Sequence, residues 1–280
     1  MNRLFYFFTG LFIYLQVPAQ PISSSQFRHT YREAMDSIIV HGGDQPSAKV
    51  LFAALYARVM DEFDLAVTKN QFKDTAFIMQ LQQSFARRFL FAASGLSVPD
   101  TSWQVSFSDS NCTQSFPMPG LLLAINAHVN HDLLQSLLEM HRNGFSLHQH
   151  RCRKDYNQAF KVLTRVIKTV VNRYEHSLEI EQSYWDRFMF WMTKKKIREL
   201  LHKNRNRLYK RALQIEADST KQVELVQEQE AIAKDYFQHI THPTGLMKMG
   251  FTMLEKRYGL NYNSFLTRVL LPENFEVVSH

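Results

Sequence analysis

The sequence predicts an all-α protein, a single-domain array of about eight helices. Apolar residues recur at helical spacing along most of the 280-residue chain, and no alternating strand pattern of any length competes. Glycine (9) and proline (8) are scarce for this length, so breaks between helices are few and sharp. No low-complexity linker interrupts the chain, which keeps residues 20–280 as one helical domain.

The elements follow in order. Residues 1–19 read as a secretory signal peptide: Arg3 supplies one positive charge, Leu4 to Val17 is apolar, and Val17-Pro18-Ala19 offers the small residues a signal peptidase reads. Cleavage is expected after Ala19, which places the mature chain in the periplasm or outside the cell. The apolar run is too short to span a membrane, which takes about 20 residues. Gln26–Val40 is a helix with Phe27, Tyr31, Ala34, Met35 and Ile38 as its stripe, broken by Gly42-Gly43-Asp44. Pro46 opens a second helix that runs to about Thr68, since proline suits a first turn. Asp74 is the N-cap of a third, which runs to Ala93 and is stopped by Ser94-Gly95. Val98 to Phe116, with Pro99 and its Ser/Asn/Asp clusters, is irregular. Pro117 and Pro119 launch a long apolar helix that ends near Asn143-Gly144. Lys154–Glu181, Tyr184–Ala217, Lys221–His239 and Leu246–Tyr258 complete the array.

The formal charge of +7 is unevenly spread, with nine Lys/Arg between Lys194 and Arg211 against the single acid Glu199. That cluster follows the aromatic run Tyr184–Met192. Trp185 to Lys196 therefore has the composition of a membrane-surface segment, while a solvated basic face is the plainer reading. Nucleic acid is the other partner a basic stripe suggests, and export argues against it. Cys112 and Cys152 flank a helix roughly 37 Å long at 1.5 Å per residue. A disulfide needs Cα atoms within about 7 Å, so two separate thiols are expected.

The most distinctive stretch is Asn126-Ala127-His128-Val129-Asn130-His131-Asp132, set inside the apolar helix. His128 and Asp132 are four residues apart and share a helix face, where they can hold a metal or orient a proton. Asn126 and Asn130 form a second pair at the same spacing. All four are candidate site residues, because a polar group buried without a partner costs roughly 1–3 kcal/mol. A catalytic zinc or other divalent metal takes three or four ligands. Asp61 and Asp64, with Thr68 on the same face of the second helix, are the favoured additions; Asp74, His131, His29 and His41 are others. Two readings stay open. One is a metal-dependent hydrolase of a phosphoester or lipid-like substrate. The other is a non-catalytic binding or structural protein in which Asn126, His128, Asn130 and Asp132 make a buried helix-packing network, with Asp132 accepting the His128 ring N–H. A metal-free site with His128 as general base, acting on Thr68 or a water, and a ligand pocket without turnover lie between them.

The run Leu121 to Leu133 resembles the signature of a bacterial group, domain-of-unknown-function family 5995. Phe52–Thr68 with its Leu55-Tyr56, the stretch Phe85-Ala86-Arg87-Arg88-Phe89, and Trp103 with Phe107 are similar supporting pieces. The similarity covers roughly residues 50–215 and implies a helical fold without an established activity. A second resemblance, of His128-x-x-x-Asp132 alone, is to the zinc-dependent phospholipase C and P1-type nuclease superfamily, and it implies His128 and Asp132 as metal ligands. Leu133-Leu134-Gln135-Ser136 stands where that superfamily places a proline and a further histidine, and the mature chain begins with Gln20.

Overall fold

The computed structural model describes residues 24–42, 45–95, 101–108, 112–114, 117–177, 203–258 and 261–271. The signal-peptide segment 1–19 and the aromatic–basic segment Trp185–Lys196 lie outside the described residues. Among those described, the chain is helical with no strand, as the periodicity predicts.

Helix α1 spans Ser24–His41 and α2 spans Ala48–Thr68. The α2 N-terminus is capped by Ser47, whose side chain accepts from Val50 N, so the start falls two residues after Pro46. Helix α3, Thr75–Ser94, begins at Asp74 and ends at Gly95, whose φ of 68° is left-handed. Both ends match the sequence expectation, since each is set by one residue's local chemistry. A short helix α4, Thr101–Ser106, forms inside the stretch expected to be irregular. It is tied to the next helix by Ser106 Oγ, which donates to Leu123 O at 3.0 Å.

The long apolar helix is not continuous. Helix α5, Met118–Ala127, passes into a π-helical turn at His128–Asp132, and α6, Leu133–Arg142, resumes the ordinary winding. Leu133 N bonds to His128 O, five residues back, which widens the backbone across the motif itself. After Gly144 the chain enters α7, His150–Ser177, four residues earlier than expected. Residues 203–217 form α8, and Gln222–Thr241 is α9. Helix α10 is Gly245–Tyr258, and α11, Tyr262–Ser264, continues into a π-helix at Phe265–Leu270. Among the described residues no helix is long and apolar enough to cross a membrane. Cys112 and Cys152 are both buried thiols and are not joined to each other.

The apolar stripes meet in two clusters. One gathers α1, the first part of α2, Trp103 and the terminal residues Tyr262 to Leu271. The other gathers Ile78 and Leu81 of α3 with α6, the first half of α7 and α8. Phe63, Phe85, Ile125 and Leu163 pack against both clusters and are only partly buried. Those four side chains mark a seam between helices α2, α3, α5 and α7.

Candidate functional site

The motif divides into two polar networks on opposite sides of its helix. On one side His128 Nδ1 lies 2.9 Å from Asp132 Oδ2, and both side chains are buried. Trp103 Nε1 donates to the same Oδ2 at 3.0 Å. The carboxylate thus receives the indole N–H and the imidazole N–H together, which fixes the ring's orientation and leaves Nε2 as the lone-pair nitrogen. Burial pushes the His128 pKa below its ordinary value and outweighs the raising effect of Asp132, with Arg88 lowering it further.

Aromatic rings enclose the imidazole. Phe85 stacks on it with centroids 3.4 Å apart, Phe52 and Tyr56 meet it edge-on at 5.0 Å, and Trp103 stands at 5.8 Å. Burial, with the Asp132 charge nearby, pushes the Tyr56 hydroxyl far above its ordinary range, so it stays protonated. His128 Nε2 is buried and makes no hydrogen bond among the described residues.

The other network ties the motif to α9. Asn130 Nδ2 donates to Asn126 Oδ1 at 2.7 Å, and Asn126 Nδ2 donates to Ala233 O at 2.9 Å. Gln229 Nε2 donates to Asn130 Oδ1 at 3.2 Å, and Arg211 Nη1 donates to Gln229 Oε1 at 2.7 Å. These amides satisfy one another and pin three helices. The four motif residues therefore form two separate networks rather than one.

Several of the expected metal ligands are engaged elsewhere. Asp61 is exposed and paired with Arg32, Thr68 bonds back to Asp64 O, and Asp74 caps α3 while facing Arg151 at 3.3 Å. His29 pairs with Glu33 on the surface, and His41 bonds to Ser37 O. Among the described residues no three His, Cys, Asp or Glu side chains converge. Asp132 Oδ2 is engaged by both His128 and Trp103. Arg87 and Arg88 both reach Glu139, with Ser84 also donating to it at 2.7 Å.

His128 also lines a cavity of about 70 Å³ at the seam between the two core clusters. Its wall is drawn from α2 (Phe52, Tyr56, Phe63), α3 (Leu81, Gln82, Phe85), the motif helix and α7 (Tyr156, Leu163), among others. Gln82 is 7% exposed, and its Nε2 is a second buried nitrogen with no partner among the described residues. Sequence reading missed Gln82, since a glutamine on a mixed helix face carries no signal. The cage rings had one: Phe52, Tyr56, Phe85 and Trp103 all lie in the pieces that carry the family resemblance.

The profile of DUF5995, a family of unknown function, matches residues 30–243. The chain belongs to that family. The match is wider than the 50–215 expected and takes in most of α1, both polar networks and all four walls of the cavity, stopping short of α10 and α11. Comparison with curated proteins and with solved structures gives no match.

Proposed function

We propose that this protein binds a small, mostly apolar molecule in the seam cavity, with the Asp132-held imidazole of His128 as its polar anchor. One observation carries the reading: His128, whose buried Nε2 has no partner among the described residues, lines a mostly apolar cavity. Apolar sites with a few placed polar groups are the usual form of small-molecule pockets. Asp132, which holds the Nδ1 edge of the ring, is not among the residues that line the cavity. Export behind the 1–19 leader would place this binding site in the periplasm or outside the cell.

The cavity is small. At about 70 Å³ it still exceeds the roughly 10–15 Å³ that a single water needs, which leaves room for a small guest. The test is a toluene titration followed by methyl NMR. Saturable shifts confined to Ile78, Leu81, Ile125, Val129 and Leu163, lost in Ala159→Phe, which fills the cavity, are the expected result. Unsaturable or scattered shifts that Ala159→Phe leaves intact would remove the proposal.

A hydrolytic reading draws on the same dyad, because an Asp-oriented imidazole with a lone pair at Nε2 is the arrangement of a general base. The wall holds no Ser, Thr, Cys or acidic side chain, so the nucleophile would have to be a water at Nε2. Turnover of a short-chain ester abolished by His128→Gln, with the fold retained, is the result that would favour it.

A further inference from the structure

We infer that the head group recognised in the cavity is a neutral hydroxyl, as in a small alcohol or phenol, gripped between His128 Nε2 and the Gln82 amide. This rests on the binding reading above and names the ligand class for that same site. Gln82 and His128 both line the cavity, each carries a buried nitrogen without a partner among the described residues, and the chemistry of the two is complementary. His128 Nε2 offers only a lone pair, because its neutral ring has committed the other N–H to Asp132. Gln82 Nε2 offers only N–H donors. A single group that gives one hydrogen and accepts another satisfies both, and a hydroxyl is the smallest that does.

Charge excludes the neighbouring classes. No Lys, Arg, Asp or Glu lines the cavity, so a carboxylate or ammonium head would be desolvated without a counter-ion. The nearest charges are already engaged: Asp132 by His128 and Trp103, and Arg88 by Glu139 and Ser136. An aromatic hydroxyl suits the walls further, since Phe52, Tyr56 and Phe85 present rings around the imidazole. Both nitrogens are buried and add almost nothing to the exposed surface of the cavity, so the ligand head reaches them only as flanking side chains turn aside.

The experiment compares phenol, toluene and butanoate as titrants of the full chain, in wild type and in Gln82→Leu, with the His128 Nε2 resonance followed by ¹⁵N NMR. Phenol is expected to bind at least tenfold more tightly than toluene, with Nε2 moving upfield as it accepts the hydrogen bond. Gln82→Leu should cut that preference to threefold or less and leave toluene affinity unchanged. Equal binding of phenol and toluene, or an unmoved Nε2 resonance, overturns the hydroxyl assignment while the apolar cavity stands. Butanoate binding more tightly than phenol overturns it in favour of an anion. Failure of both phenol and toluene to bind removes the cavity reading and this inference together.

Discussion

His128 is held on every side but one, and that asymmetry makes its contribution to stability readable by pH. The folded ring resists protonation because burial outweighs the pull of Asp132. The unfolded ring titrates at the ordinary histidine value. Below that value the unfolded state binds a proton that the folded state refuses, so the His128 contribution is complete above the ordinary range and declines as pH falls through it. Wild-type stability from urea melts is expected to fall between about pH 7.5 and about pH 5.5, with a His128 component approaching 1.4 kcal/mol per pH unit at most. His128→Gln should flatten that slope by up to one proton. An unchanged slope would show that burial and Asp132 cancel, and a slope that steepens in the variant would show that Asp132 wins and holds the ring protonated in the fold. Trp103→Phe offers a second check at this scale. It keeps the aromatic body against Phe52 and Phe89 but removes the N–H to Asp132. A loss of about 1–3 kcal/mol is expected, since the buried carboxylate is left one donor short.

Among the elements, the contacts that fix helix ends differ in how visible they are along the chain. The start of α3 at Asp74 and its stop at Gly95 are local, and the sequence reading places both correctly. The buried carboxylate that completes that start was not visible. Asp155, on α7 and 1% exposed, accepts from Lys73 N at 2.8 Å and also from Asp74 N. It thereby anchors the α2–α3 turn to a helix some 80 residues further on. Asp155→Asn puts an N–H₂ opposite one of two backbone donors, and a loss of about 2–3 kcal/mol is expected by urea midpoint. A change under about 0.5 kcal/mol would show that the turn is held by its own local bonds. The π turn at 128–132 was invisible for a related reason. Helical spacing puts His128 and Asp132 together in either winding, and the wider turn is packed against α3 and α9, whose approach no local pattern announces. The His/Asp pair was therefore legible from spacing. Gln82 and the Trp103 hydrogen bond were not, because each depends on which helices become neighbours.

At the scale of the whole molecule, the core is closed by residues beyond the family match. Tyr262, Phe265, Leu266, Val269, Leu270 and Leu271 are all buried in the cluster that holds α1 and α2. Their backbone is clasped from two helices: Arg58 Nη1 donates to Val269 O at 2.9 Å and Arg173 Nη1 to Leu271 O at 2.9 Å. Tyr262 N donates to Gln114 O at 2.8 Å, which ties the segment to the approach of the motif helix. Burying an apolar side chain fully is worth roughly 1.5–3 kcal/mol, so six of them approach or exceed the 5–15 kcal/mol that holds a typical domain folded. A chain ending at residue 261 should therefore fail to give a cooperative thermal transition. Val269→Ala, which deletes two methyls and leaves Arg58 its carbonyl, should cost about 1–3 kcal/mol and keep the fold. The same cavity titration separates two roles for the segment. If Val269→Ala lowers the melting temperature while toluene affinity holds, the C-terminal segment braces the α1–α2 cluster alone. If affinity falls in step, the brace also sets the spacing of α2 and α7, whose side chains form opposite walls of the seam.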